Sequence, residues 1–131
     1  MKIGYICIGN SCRSQMAEGL TNALENTDIE VYSAGTHPTM QVNPKAVKVM
    51  EEIGLDISMY RPKKLENIPD LDIVVTMGCG VECPMKLARY RIDWQIDDPV
   101  GKDIDFFRNT RNEIKNKVLD LLKQIEEGKY A

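Results

Sequence analysis

The chain has one histidine, one tryptophan, two phenylalanines and no long apolar run. Its amino-terminal apolar stretch carries one lysine and is interrupted by a glycine, too short for a signal peptide or a membrane-spanning helix. A cytoplasmic location is therefore expected. A formal net charge of −3 gives no excess of basic residues, which argues against nucleic-acid or membrane binding as a bulk effect. No internal repeat, low-complexity tract or interdomain linker is visible, so residues 1–131 are read as one domain, with nothing that demands more than a monomer. The lone histidine, His37, stands beside Pro38 in an expected loop and is read as a surface residue, not a base. What the sequence does have is four cysteines. A domain of this size needs no disulfide staples, and in a reducing compartment grouped cysteines mark catalysis, redox exchange or metal binding.

Strand signals lie at Lys2–Ile6, Glu30–Ser33, Asp72–Met77 and Arg91–Ile96, where Tyr90 and Trp94 are expected to pack; the third is apolar on both faces, as a buried parallel strand should be. Helical spacing runs over Ser14–Asn26, with Met16, Ala17, Leu20, Ala23 and Leu24 on one face. It resumes after the Asn43-Pro44 cap through Ala46, Val47, Met50 and Ile53 to a stop at Gly54. A third helix spans about Ile104 to Glu127, ahead of Gly128, with Phe107, Ile114, Val118, Leu121, Leu122 and Ile125 inward. Alternating strands and helices predict an α/β fold, a parallel sheet with right-handed crossovers. Ligands of such sheets gather at the carboxyl ends of the strands. Three segments should converge there: the loop from Cys7, the loop holding Cys79 and Cys83, and Asp97-Asp98-Pro99.

The opening segment constrains function most. Ile3-Gly4-Tyr5-Ile6 leads into Cys7-Ile8-Gly9-Asn10-Ser11-Cys12-Arg13-Ser14, followed at once by a helix. A strand thus delivers a cysteine to a loop at a helix amino terminus, where a thiolate is stabilised. The loop N–H groups can wrap an oxyanion, and Arg13 can grip two of its oxygens. Gly9 permits curvature, Asn10 tolerates left-handed dihedrals, and Ser14 can donate to the Cys7 sulfur.

That octet resembles the phosphate-binding loop of low-molecular-weight protein tyrosine phosphatases and of the arsenate reductases built on their fold. The likeness to the reductases extends over nearly the full length, through Ser14-Gln15-Met16-Ala17-Glu18-Gly19, Tyr32-Ser33-Ala34-Gly35, Val42-Asn43-Pro44-Lys45-Ala46 and Asp97-Asp98-Pro99-Val100-Gly101-Lys102. It implies a four-stranded parallel sheet flanked by helices. It also implies Cys7 as nucleophile, Arg13 as anion ligand, substrate binding by residues Ile8 to Ser14, and Asp98 as general acid; Asp97 is read as structural or solvated.

Within this resemblance the Cys79/Cys83 pair favours a reductase, because a phosphatase hydrolyses its phosphocysteine with water and has no use for two more thiols. The implied substrate is arsenate, with phosphate or sulfate competing. Cys79 and then Cys83 relay the disulfide outward to thioredoxin or a similar thiol reductant. No cofactor and no metal are expected. The spacing here is Cys-Gly-Val-Glu-Cys, with three residues between the cysteines, where the better-known thioredoxin-linked reductases have a longer insert. A zinc site and a pair of inert thiols are the bland readings of this pair. Against a phosphatase, no tyrosine follows Asp98-Pro99. A non-catalytic oxyanion-binding redox sensor is the remaining alternative. Cys12 is read as a packing residue and the run Arg61 to Lys64 as solvated surface. Some reductases of the family bind potassium beside the loop; Asn10, Glu18 and Ser33 match three of its ligands, but Lys63 stands where an aspartate is expected. A lysine ammonium in place of the cation is the expectation.

Overall fold

The computed structural model describes residues 1–24, 28–78 and 88–131. In chain order these form β1 (Lys2–Cys7), α1 (Arg13–Leu24), β2 (Glu30–Gly35), α2 (Pro44–Glu51), a 3-10 turn at Leu65–Asn67, β3 (Leu71–Thr76), β4 (Ala88–Asp93) and α3 (Ile104–Glu126). The four strands make one parallel sheet in the order β2-β1-β3-β4, as the sequence implied. β1 therefore has β2 on one side and β3 on the other, and the point where strand order reverses lies at its carboxyl end. That is where Cys7 sits.

Side chains alternate across the strands. Ile3, Tyr5, Cys7, Ile73 and Val75 join residues of all three α-helices, among them Met16, Leu20, Met50, Phe107 and Ile114, in the larger core. Ile6, Val74 and Ala34 point the other way, onto Ile68 and Leu71, with Leu65 of the 3-10 turn packed against them. Among the described residues no helix is long and apolar enough to cross a membrane.

Two expectations change, for identifiable reasons, while the expected end of the first helix at Asn26 lies outside the described residues. The fourth strand was placed at Arg91–Ile96, yet β4 ends at Asp93. The amides of Trp94 and Ile96 still bond to Thr76 O and Met77 O (2.9 and 3.0 Å), but Gln95 between them has φ 54°, which breaks the regular ladder. Tyr90 and Trp94 pack as expected, Trp94 against Tyr5 and Tyr90 edge-on to Tyr130. In α1 the core stripe ends at Leu20 and Thr21, while Ala23 and Leu24 are exposed. Thr21 takes the inward position because its hydroxyl is 2.7 Å from the buried Tyr5 hydroxyl and donates to Ala17 O at 2.8 Å.

The other two helices begin on caps. Asn43 Oδ1 accepts from Lys45 N (2.9 Å) with Pro44 at the first helical position, and Asp103 Oδ1 accepts from Phe106 N (2.9 Å). Gly54 and Gly128 follow α2 and α3 at φ 82° and 87°, a conformation other residues adopt only with strain.

An ion cluster clasps α2 to α3. Arg108 meets Glu52 through two nitrogens (Nε–Oε1 3.0 Å, Nη2–Oε2 2.7 Å), and Arg111 Nη1 bonds both Glu52 Oε1 (2.9 Å) and Val49 O (2.8 Å). The Arg108 hydrogen bonds, with the one from Arg111, lower the Glu52 carboxyl from the ordinary 4.5 to about 2. A depressed carboxyl contributes stability that is present above its unfolded value and lost as pH falls through the folded one. Urea midpoints should therefore fall between pH 4.5 and about 2 in part through Glu52, and Glu52→Gln should flatten that part of the curve. An unchanged acid limb in the variant would remove the clasp from the account.

Candidate active site

Cys7 ends β1 and Arg13 begins α1, so Ile8 to Cys12 make the whole connection. The carbonyls of this loop point outward and are taken in succession by the segment after β2. Thr36 N–H bonds Cys7 O (3.3 Å), His37 N–H bonds Ile8 O (2.8 Å), Thr39 N–H bonds Gly9 O (3.0 Å) and Asn43 N–H bonds Ser11 O (2.9 Å). The Gln15 side chain takes Asn10 O (3.0 Å). In a trans peptide the N–H points opposite to the C=O of the same unit. Five outward carbonyls therefore turn the amides of Ile8, Gly9, Asn10, Ser11 and Cys12 inward, and among the described residues no backbone acceptor meets them. Asn10 makes the curve possible with φ 49°, a conformation asparagine tolerates better than most residues. At Gly35 the end of β2 presses against the loop: a Cβ there would lie 2.6 Å from Ile8 O and 2.9 Å from Asn10 N.

Cys7 is 3% exposed, and its Sγ is 2.8 Å from Ser14 Oγ. Asn10 Nδ2 donates to the same Oγ at 2.8 Å, which leaves the serine's own proton for the sulfur. The expected Ser14–Cys7 contact is thus present. Arg13 is buried beside them. Its Nη1 donates to Met77 O (3.2 Å) and Ile96 O (2.8 Å), carbonyls just beyond β3 and β4, so main-chain atoms fix the guanidinium in place. The Nε–Nη2 edge remains, which suits two oxygens of one anion. Asp98 stands at the mouth, its Oδ2 3.7 Å from Arg13 Nη2 and its Oδ1 accepting from Val100 N (3.1 Å). Its side chain is half exposed, so this ion pair contributes little stability, and the carboxyl is free to meet a ligand.

The structure thus brings Cys7, Ile8 to Ser14 and Asp98 to one rim. Cys79 and Cys83 lie outside the described residues. Cys12 is buried, and burial pushes its thiol up to about 12. It packs in the core behind the loop, and its part in any anion site is its amide. His37 is exposed, as expected. Sequence reasoning missed the braces: the Thr39 amide, the two carbonyls that hold Arg13, and the fully buried Gln15. Only Gln15 left a signal, an amide within the run of α1 that carries the core-facing Met16 and Ala17.

Residues 2–130 match the family described as low molecular weight phosphotyrosine protein phosphatase. The chain belongs to this family. Among its relatives is the glutaredoxin arsenate reductase of Synechocystis sp., 40% identical over 95% of this chain and 98% of its own length. The arsenate reductase of Staphylococcus aureus (strain Newman) is 43% identical over 86% of this chain and 89% of its own. A solved structure described as an arsenate reductase in the phosphate binding state superposes with a TM-score of 0.87 at 39% identity, covering 95% of this chain and 98% of that one.

One part of the expected basic surface turns inward. Lys63 is half buried; its Nζ lies 3.0 Å from Arg61 O and 3.7 Å from Glu18 Oε1, and its amide donates to Asn10 Oδ1 (2.8 Å). Ser33 Oγ donates to the same Glu18 oxygen. A fixed ammonium therefore lies among the groups the family resemblance assigns to potassium. Turnover in sodium sulfate and in potassium sulfate should accordingly be equal, and a large potassium-specific gain would contradict the role given to Lys63.

Proposed function

We propose that this chain reduces arsenate to arsenite, with residues 1–131 acting as one catalytic domain. The observation that carries the reading is the inward-turned amide loop closing on Cys7 and Arg13, in a chain whose relatives over nearly its whole length include arsenate reductases. The cradle takes the tetrahedral oxyanion. The Cys7 thiolate attacks arsenic(V), and Asp98 protonates the departing oxygen, which leaves as water and yields a sulfur–arsenic bond. The Cys79 thiolate then attacks the Cys7 sulfur. The electron pair of the sulfur–arsenic bond passes to arsenic, arsenite leaves, and a Cys7–Cys79 disulfide forms. Cys83 attacks Cys79, freeing Cys7 as a thiolate and leaving a Cys79–Cys83 disulfide. A thioredoxin-like dithiol, thioredoxin or glutaredoxin, reduces that bond with two electrons. The roles of Cys79 and Cys83 rest on the sequence alone. The enzyme works as a cytoplasmic monomer.

Phosphate and sulfate should compete because they match arsenate in shape and charge, and slow hydrolysis of a small phosphate ester would follow from the same cradle. The test is arsenate-dependent NADPH oxidation in the presence of thioredoxin and its reductase, or of glutaredoxin with glutathione and its reductase. It is paired with a single turnover of the reduced protein alone. One arsenite should be released per chain with the loss of two thiols. Cys83→Ser should keep that single turnover and stop cycling. A Cys79→Ser variant that does so instead would reverse the order of the relay, and reduced protein that meets arsenate with every thiol intact would end the proposal.

A further inference from the structure

We infer that Gln15 is a positioning residue for the Cys7 nucleophile, acting through Asn10 and Ser14; the inference rests on Cys7 being the nucleophile of the proposed reaction. Gln15 is fully buried near the start of α1. Its Nε2 faces three acceptors, Asn10 O (3.0 Å), Asn10 Oδ1 (3.0 Å) and Arg61 O (3.1 Å). Turning the amide over would set its oxygen against all three, so the orientation is settled by its surroundings. The cost is visible at the other end of the group: Gln15 Oε1 is buried and has no hydrogen-bond partner among the described residues. A buried acceptor left unpaired is destabilising, and an apolar side chain of similar length would avoid it.

What the glutamine provides instead is a fixed polarity. Asn10 Oδ1 accepts from Gln15 Nε2 and from Lys63 N (2.8 Å), so the Asn10 amide can present only its Nδ2 to Ser14 Oγ, 2.8 Å away. Ser14 Oγ, already accepting, has its own proton to give to Cys7 Sγ at 2.8 Å. A thiolate can only accept. Every hydrogen bond in the relay Gln15–Asn10–Ser14–Cys7 then runs toward the sulfur, and its last donor is aimed at Cys7 Sγ. The same Nε2 also holds Asn10 O outward, which keeps the Ser11 amide turned into the cradle.

The test reads the alkylation rate of Cys7 by iodoacetamide, quantified on the Cys7 peptide by mass spectrometry, in Gln15→Leu, Ser14→Ala and the double variant. Thermal midpoints are measured alongside. Gln15→Leu should slow Cys7 alkylation about threefold near neutral pH, less than Ser14→Ala does, because Lys63 N still orients the Asn10 amide while Asn10 O and Oδ1 each lose one donor. Its thermal midpoint should change little, because the unpaired Oε1 is gone while Asn10 O loses its donor. The double variant should react no more slowly than Ser14→Ala alone, since both changes interrupt one relay. Gln15→Met runs the same cycle should the leucine variant not fold. Wild-type reactivity, slowing that multiplies with that of Ser14→Ala, a fall in thermal midpoint that tracks the slowing, or failure of both variants to fold would each overturn the inference. No arsenate is used, so a positive cycle in a protein that reduces no arsenate would sink the proposed function and leave Gln15 its role.

Discussion

Everything at this site depends on which way five peptide groups face. A loop that joins a strand to a helix in so few residues could satisfy its own polar groups in many ways. Here the stretch from Thr36 to Asn43, with the Gln15 side chain, takes the outer carbonyls, and covalent geometry then sends the paired amides inward. The result is a concave set of donors at the positive end of α1 with a sulfur at its floor, formed before any ligand arrives. Donors fixed in advance need not reorganise when negative charge appears, which is where a main-chain cradle gains over mobile side chains.

The surrounding fold serves that arrangement. β1 is flanked by β2 and β3, so Cys7 emerges at the reversal of strand order, and Gly35 at the end of β2 lets the two backbones touch. Arg13 is anchored by carbonyls beyond β3 and β4, which ties the far side of the sheet to the loop. Asp98 reaches Arg13 from the segment after β4 with half its side chain still in water. The buried cation is held by main-chain carbonyls, and the exposed carboxyl stays open to solvent and ligand. Cys12 is the second cysteine of the same loop. Five positions after Cys7 in the eight-residue motif, it packs in the core, and burial holds it as a neutral thiol.

The sheet, its parallel sense and the anion loop were legible because each has a local cause: apolar runs of strand length, an Asn-Pro cap, a glycine stop, and a cysteine and an arginine at fixed spacing. Arg61 to Lys64 shows where local signals end, since its composition reads as solvated surface and only the family resemblance put the Lys63 ammonium beside Glu18, where its Nζ lies 3.7 Å from Oε1. Gln95 shifted the end of β4 through a positive φ that neither periodicity nor composition betrays. Four of the five outward carbonyls had no signature at all, because main-chain bonds from Thr36 to Asn43 depend on tertiary placement and on no particular side chain.

The most direct measurement of the central claim is a backbone amide NMR titration of the fully reduced protein with inorganic phosphate, a redox-inert mimic of arsenate. The account predicts that the amides of Ile8 to Ser14 move together along one saturable curve, accompanied by the Arg13 guanidinium. Perturbations that bypass these amides, or that centre on exposed lysines and fade with added salt, would contradict it.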